Sequence, residues 1–136
     1  MALFVDLVAL SNGLHGSVQM DSVALFSWIG WLRHHGILIG FLYLKQTGKD
    51  TVELAVMGVL KEYHRKGIGR ALFEYAKESI KESGYSFIQV KTVKMGMYED
   101  YDCTNRFYIS LGFKEFEVLN SLWDENNPCQ IYVMGI

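Results

Sequence analysis

From Glu62 to Phe73 the chain reads EYHRKGIGRALF, and this stretch concentrates the residues best suited to chemistry. His64, Arg65, Lys66 and Arg70 surround two glycines, Gly67 and Gly69. An apolar run rich in Val and Leu precedes them and an amphipathic pattern follows, so the segment reads as strand, turn and helix. That order makes an anion cradle. The turn aims successive backbone N–H groups into one concavity, and the helix start adds unpaired N–H groups and the positive end of its dipole. The glycines let main chain approach a phosphate without a Cβ in the way. A Walker loop needs Lys-Ser/Thr after its last glycine, and here Arg70-Ala71 follows Gly69. A dinucleotide fingerprint needs a third glycine where Leu72 stands. The plain alternative is a glycine-bearing turn that holds no ligand.

The elements that must position this turn follow from periodicity. Leu3–Leu10 is a strand or a short helix, and Ser11-Asn12-Gly13 is a turn. A helix is expected from about Ser17 to Arg33, capped by Ser17 or Asp21. Its apolar residues, including Trp28 and Trp31, cover almost the whole circumference, so it needs burial on more than one side. Those tryptophans serve core packing, or else a subunit interface or acceptor pocket. Ile37–Lys45 and Thr51–Leu60 are expected as antiparallel strands about a turn at Gly48. A helix follows over Ile68–Glu82, ended at Ser83-Gly84, then a strand over Tyr85–Thr92 parallel to 51–60. Val93–Asp102 reads as a loop, Thr104–Leu111 as a short helix ended by Gly112, and Phe113–Leu119 as a strand. Trp123–Pro128 reads as a polar loop and Gln130–Met134 as a closing strand.

Two motifs together carry a family resemblance. His64-Arg65-Lys66-Gly67-Ile68-Gly69 resembles the Gln/Arg-x-x-Gly-x-Gly/Ala loop of the GNAT (GCN5-related) N-acetyltransferases. Downstream, Tyr108-Ile109-Ser110-Leu111-Gly112-Phe113 resembles the family's Tyr-x-x-x-Gly-Phe. The resemblance covers roughly residues 37–119 and is thin over 1–36, where the family has more chain before this hairpin. It implies an α/β (α+β) fold: a mixed, mostly antiparallel sheet with a central splayed parallel pair, flanked by helices, with a shortened N-terminal region. It also implies acetyl-coenzyme A as co-substrate, its pyrophosphate on the N–H groups of Arg65, Lys66, Gly67, Ile68, Gly69, Arg70 and Ala71, with His64 in the Gln/Arg place. The pantetheine arm would run along Val59, Leu60 and Lys61, entering a gap beside 85–92, and a bulge near Gly58 would turn backbone donors toward it. The N–H of Val59 or Leu60 would polarise the thioester carbonyl. Tyr108 matches the residue that serves the departing thiolate; its plain alternative is a core tyrosine. Glu53 is the base by the same resemblance, or else an outward strand residue paired with Lys45 across the hairpin. Glu99 and Asp100 are further bases or solvated loop charges, and Arg106 is a 3′-phosphate contact or an exposed helix arginine. The segment WDENNPC, Trp123–Cys129, resembles a pattern in some bacterial members.

Composition sets the outer bounds. With 136 residues, 50% of them hydrophobic, the chain is expected to form one domain, 1–136, with a substantial core. A formal charge of −2 gives no reason to expect nucleic acid or an anionic membrane as partner. No Cys/His cluster has metal spacing, so no metal is expected. Cys103 and Cys129 read as two thiols of a reducing cytoplasm. The apolar N-terminus lacks signal-peptide flanks. The expected function is direct acetyl transfer to an amine of a small molecule, peptide or protein through a ternary complex. Its rival is a non-catalytic acetyl-coenzyme A sensor or subunit. The N-terminal region is also expected to support a homodimer.

Overall fold

The computed structural model describes residues 18–22, 27–34 and 37–136. Seven strands form one sheet: β1 (Val18–Ser22), β2 (Ser27–His34), β3 (Ile37–Gln46), β4 (Thr51–Val59), β5 (Phe87–Val93), β6 (Lys114–Asp124) and β7 (Asn127–Gly135). Their spatial order is β1-β2-β3-β4-β5-β7-β6. Every neighbouring pair is antiparallel except β4 and β5. Two helices complete the described elements, α1 (Ile68–Glu82) and α2 (Glu99–Leu111), with a single 3-10 turn at Lys61–Tyr63. This is the mixed sheet with a parallel pair and flanking helices that the sequence implies.

The N-terminal stretch differs from expectation. Residues 18–22 and 27–34 are strands, not one helix. An apolar pattern spread around a whole helix has no face to choose. Here β1 pairs with β2, and β2 with β3, so these residues are set as strands by sheet pairing, which periodicity alone could not assign. The expected element at Leu3–Leu10 and the turn at Ser11–Gly13 lie outside the described residues.

Elsewhere the differences are at the ends. Helix α1 has the expected bounds, and its buried face is Ile68, Leu72, Phe73, Ala76 and Ile80. Helix α2 begins at Glu99, earlier than Thr104, and carries Glu99, Asp100 and Asp102 in its first turn, where acid complements the helix dipole. Gly112 ends it in the left-handed region, φ 107°. The polar loop shrinks to a tight turn at 125–126, because the Asp124 carboxylate accepts from the Asn126 N–H and the Asn127 amide. These bonds hold the Asp124 carboxyl below its ordinary range.

One core joins α1, α2 and the sheet. Val52, Leu54, Met57 and Val59 of β4, with Ile88 and Val90 of β5, meet Leu72 and Phe73 of α1 and Tyr108 of α2. The register of β4 explains how both halves of that strand face the same core. Tyr43 opposes Val56 while Leu44 opposes Leu54, so Ala55 is an extra residue. The bulge is therefore at Ala55, not near Gly58, which pairs regularly with Phe41. It resets the alternation, placing 52, 54, 57 and 59 on the core side.

Candidate active site

The site begins where β4 and β5 part. Their parallel pairing has only three steps, Thr51 with Phe87, Val52 with Ile88 and Glu53 with Gln89. Beyond these, β4 stays with β3 as far as Val59 and β5 stays with β7 as far as Val93. The closed end of this fork is fastened. Ser86 and Phe87 N–H both donate to Asp50 C=O, Gln89 donates to the Thr47 hydroxyl at 2.8 Å, and the Tyr85 hydroxyl donates to Gln46. The open edge of β4 is about 20 Å long for its remaining residues at a strand's rise.

Ladder alternation shows which groups face that edge. Leu60 N–H donates to Ile39 C=O at 2.8 Å, so Leu60 is committed to β3. Val59, opposite Gly40, is then a non-bonded position of that ladder, and its N–H and C=O point toward β5. Of the two amides expected to face a ligand, Val59 qualifies and Leu60 does not. The His64 imidazole Nε2 lies 3.0 Å from Val59 C=O, holding the loop's entry against the strand's end.

The glycine turn follows. Arg65 and Gly67 both have positive φ, 62° and 76°. Gly67 is the N-cap of α1, in the left-handed region, with no side-chain cap and no acid in the first helical turn. A Cβ there would meet nothing within 4 Å, so its surroundings are open. Ala71 N–H donates to Gly67 C=O at 3.1 Å, the first bond of the helix. The amides of Ile68, Gly69 and Arg70 therefore precede the helical ladder, whereas Ala71, expected to serve the ligand, is already used. The basic side chains divide their work. Lys61, Arg65 and Lys66 are exposed, with the Lys66 ammonium 5.5 Å above the Tyr63 ring. Arg70 points elsewhere: its guanidinium donates to Ser110 C=O at 3.0 Å and to the Ser110 hydroxyl, tying α1 to α2.

Tyr108 is fully buried among Phe107, Phe113 and Tyr132 rings. Among the described residues its hydroxyl has no protein partner, as is also true of the buried Thr92 hydroxyl on β5. Burial pushes the Tyr108 phenol well above its ordinary value. A buried polar atom without a partner is uncommon, and it suits a place where a ligand atom completes the hydrogen bond. Asn105 fixes the helix that carries Tyr108. Its amide donates to Val93 C=O (2.8 Å) and Tyr101 C=O (2.6 Å), and its oxygen accepts from the Tyr132 hydroxyl at 2.5 Å.

Glu53 sits at the last paired step of the fork, on the side of the sheet away from the core, and is 5% exposed. Lys91 of β5 reaches Glu53 Oε1 at 2.8 Å, and Lys45 of β3 reaches Oε2 at 3.4 Å. The cross-hairpin partner expected for Glu53 is thus present, with a second lysine that sequence reading missed. Lys91 alternates with the buried Val90 and Thr92, which was the signal for its outward direction. A cavity of about 410 Å³ opens here, lined by Tyr43, Lys45, Glu53, Val56, Lys91 and Trp123 among others. Glu99, Asp100 and Arg106 are exposed on α2, and Arg106 contacts Cys103. Among the described residues no group of His, Cys, Asp and Glu has the spacing of a metal site.

Known proteins share this fold. The family model described as an acetyltransferase (GNAT) domain matches residues 27–115. No curated protein matches the sequence. Among solved structures, a GNAT family acetyltransferase from Elizabethkingia anophelis with acetyl-CoA bound superposes with a TM-score of 0.74 at 12% identity, over 89% of this chain and 98% of that one. The PaiA N-acetyltransferase of Thermoplasma acidophilum in complex with coenzyme A gives 0.69 at 22% identity, over 82% and 62%. An aminoglycoside 6′-N-acetyltransferase complexed with coenzyme A gives 0.69 at 20%, over 82% and 73%.

Proposed function

The chain belongs to the GNAT acetyltransferase family, and on that premise we propose a single-domain N-acetyltransferase that moves an acetyl group from acetyl-coenzyme A to the amine of a small molecule or peptide. The observation that carries this reading is the fork between β4 and β5 meeting a helix start with no cap of its own. An extended arm finds unpaired strand edge in the fork, and a pyrophosphate finds the amides of Gly67 to Arg70 and a helix dipole.

Each residue then has a task. The Val59 N–H, facing the fork, pairs with the pantetheine arm, which carries the thioester further into the fork toward Glu53. The amine attacks the carbonyl carbon, the C–N bond forms and the C–S bond breaks. The Tyr108 hydroxyl donates a hydrogen bond to the departing thiolate. A phenol held so far above an ordinary thiol stabilises the thiolate by donation, and water supplies the final proton. Glu53 takes the amine's proton at Oε2, the oxygen with the looser lysine contact, while Lys91 holds Oε1. The reaction suits a cytoplasmic protein, with its supply of acetyl-coenzyme A. A homodimer through the N-terminal strands fits the position of β1 at the edge of the sheet formed by the described residues. Light scattering that gives a monomer mass at micromolar concentration removes that dimer.

The test is release of free thiol from acetyl-coenzyme A across a broad amine panel. Amine-dependent release is expected, and Tyr108→Phe should lower it by roughly 10²- to 10⁴-fold. Acetyl-coenzyme A binding without amine-dependent release favours the sensor reading instead.

A further inference from the structure

We propose that the cavity on the outer side of the fork selects acceptors that carry a carboxylate beside the amine, with Lys45 as the carboxylate hook. The inference rests on the acetyltransferase reading and names the substrate class of that site. The cavity straddles the fork: Glu53 and Val56 come from β4, Lys91 from β5, Tyr43 and Lys45 from β3. It therefore opens where the acyl group must meet its acceptor.

Among the described residues its charge is unbalanced. Two ammonium groups face one carboxylate, and both oxygens of that carboxylate are already engaged. A polycationic acceptor would bring more positive charge to a positive pocket, at a cost in affinity. A zwitterion meets no such penalty. Its carboxylate pairs with Lys45, whose side chain is 48% exposed and whose contact to Glu53 is the longer of the two, 3.4 Å against 2.8 Å. Drawing Lys45 off Oε2 uncovers that oxygen for the acceptor's amine. Lys91, 29% exposed and closer, stays in place, and its charge favours the neutral, nucleophilic form of the amine. Tyr43 and Trp123 supply aromatic walls for an apolar side group. The hook and the proton acceptor are thus joined through one carboxylate.

The test compares L-phenylalanine, L-methionine and L-glutamate with their C-terminal amides, and with spermidine, as acceptors for the full chain. The free acids should exceed their amides in kcat/KM by roughly tenfold or more, as a charge-assisted contact implies. Spermidine should be poorer still. Lys45→Met should bring the acid-to-amide ratio toward one, chiefly through KM. Binding has a separate readout: the free acids should quench fluorescence of Trp123, with the signal absent in Trp123→Phe and weakened in Lys45→Met. Turnover with amides or spermidine equal to that with the acids overturns this proposal and leaves acetyl transfer standing. A ratio unmoved by Lys45→Met overturns the hook. No thiol release with any amine overturns the acetyltransferase reading itself, and this proposal with it.

Discussion

At Tyr108, burial and chemistry oppose each other. The hydroxyl lies in a fully buried site and has no partner among the described residues. Such a group costs roughly 1–3 kcal/mol when unpaired, so Tyr108→Phe should leave stability unchanged or raise it by about 1 kcal/mol while activity falls. Paired urea melts and thiol-release assays check this; a variant that loses both shows a structural role. The alkaline limb is a second check. Burial raises the Tyr108 phenol, and burial with nearby Glu115 pushes Tyr132 up to about 12. The folded chain keeps protons that the unfolded chain releases near pH ~10. That contribution is intact below about pH 10 and is lost as pH rises toward the folded values, so urea midpoints should fall there, and less steeply in Tyr108→Phe. Asn105 is the opposite case, a buried amide whose nitrogen and oxygen are both bonded and hold α2. Asn105→Ala should cost about 2–3 kcal/mol in urea melts. Tyr108 was singled out in the sequence because a glycine and an aromatic follow it at fixed spacing. Asn105 was not: its partners lie on β5, α2 and β7, and no local pattern reports contacts so distant.

At the scale of elements, α1 is a helix whose start offers its amides outward. Gly67 brings no capping side chain, and the first turn has no acid. Gly67→Asp places a carboxylate at that positive end. It should weaken coenzyme A binding by roughly tenfold or more, with stability within about 1 kcal/mol as cap gain offsets backbone strain. Calorimetric titration decides, and undiminished affinity would mean that the anion sits elsewhere. Helix α1 was read at about its observed bounds because its apolar stripe, its glycine entry and its Ser83-Gly84 exit all agree. Helix α2 was read short because its first turn is acidic and polar, a composition shared by loops and by helix starts. The bulge was misplaced by three residues, since glycine suggested it and register decided it.

For the whole molecule, the sheet's central pairing is its least complete. Coenzyme A bound along β4 would supply the partners that β5 does not, so the Val59 amide should exchange more slowly with solvent when coenzyme A is added. The thermal midpoint should rise too, by the equivalent of about 2.7 kcal/mol at a hundredfold excess over Kd. Exchange at Val59 that ignores the ligand would remove the arm from the fork. The pairing of β3 with β4 and of β4 with β5 was legible because a hairpin turn and one helical crossover leave few alternatives, whereas the place of β7 between β5 and β6 was not read. The first two strands were not, because their apolar residues have no period and their pairing is set by β3.

The fork also divides the molecule mechanically. Strands β1 to β4 form one plate and β5, β7 and β6 another, and between them the sheet has three steps of pairing at one end only. Helix α1 lies against β4 and α2 against β5, so each plate carries its own helix. The Arg70 guanidinium on Ser110 joins the two helices on the far side of that seam. The two plates are thus hinged at the fastened end and, beyond the core they share, tied to each other by the Arg70 guanidinium. Arg70→Ala should loosen the hinge and raise amide exchange along both inner edges, without touching any group that contacts the acyl chain.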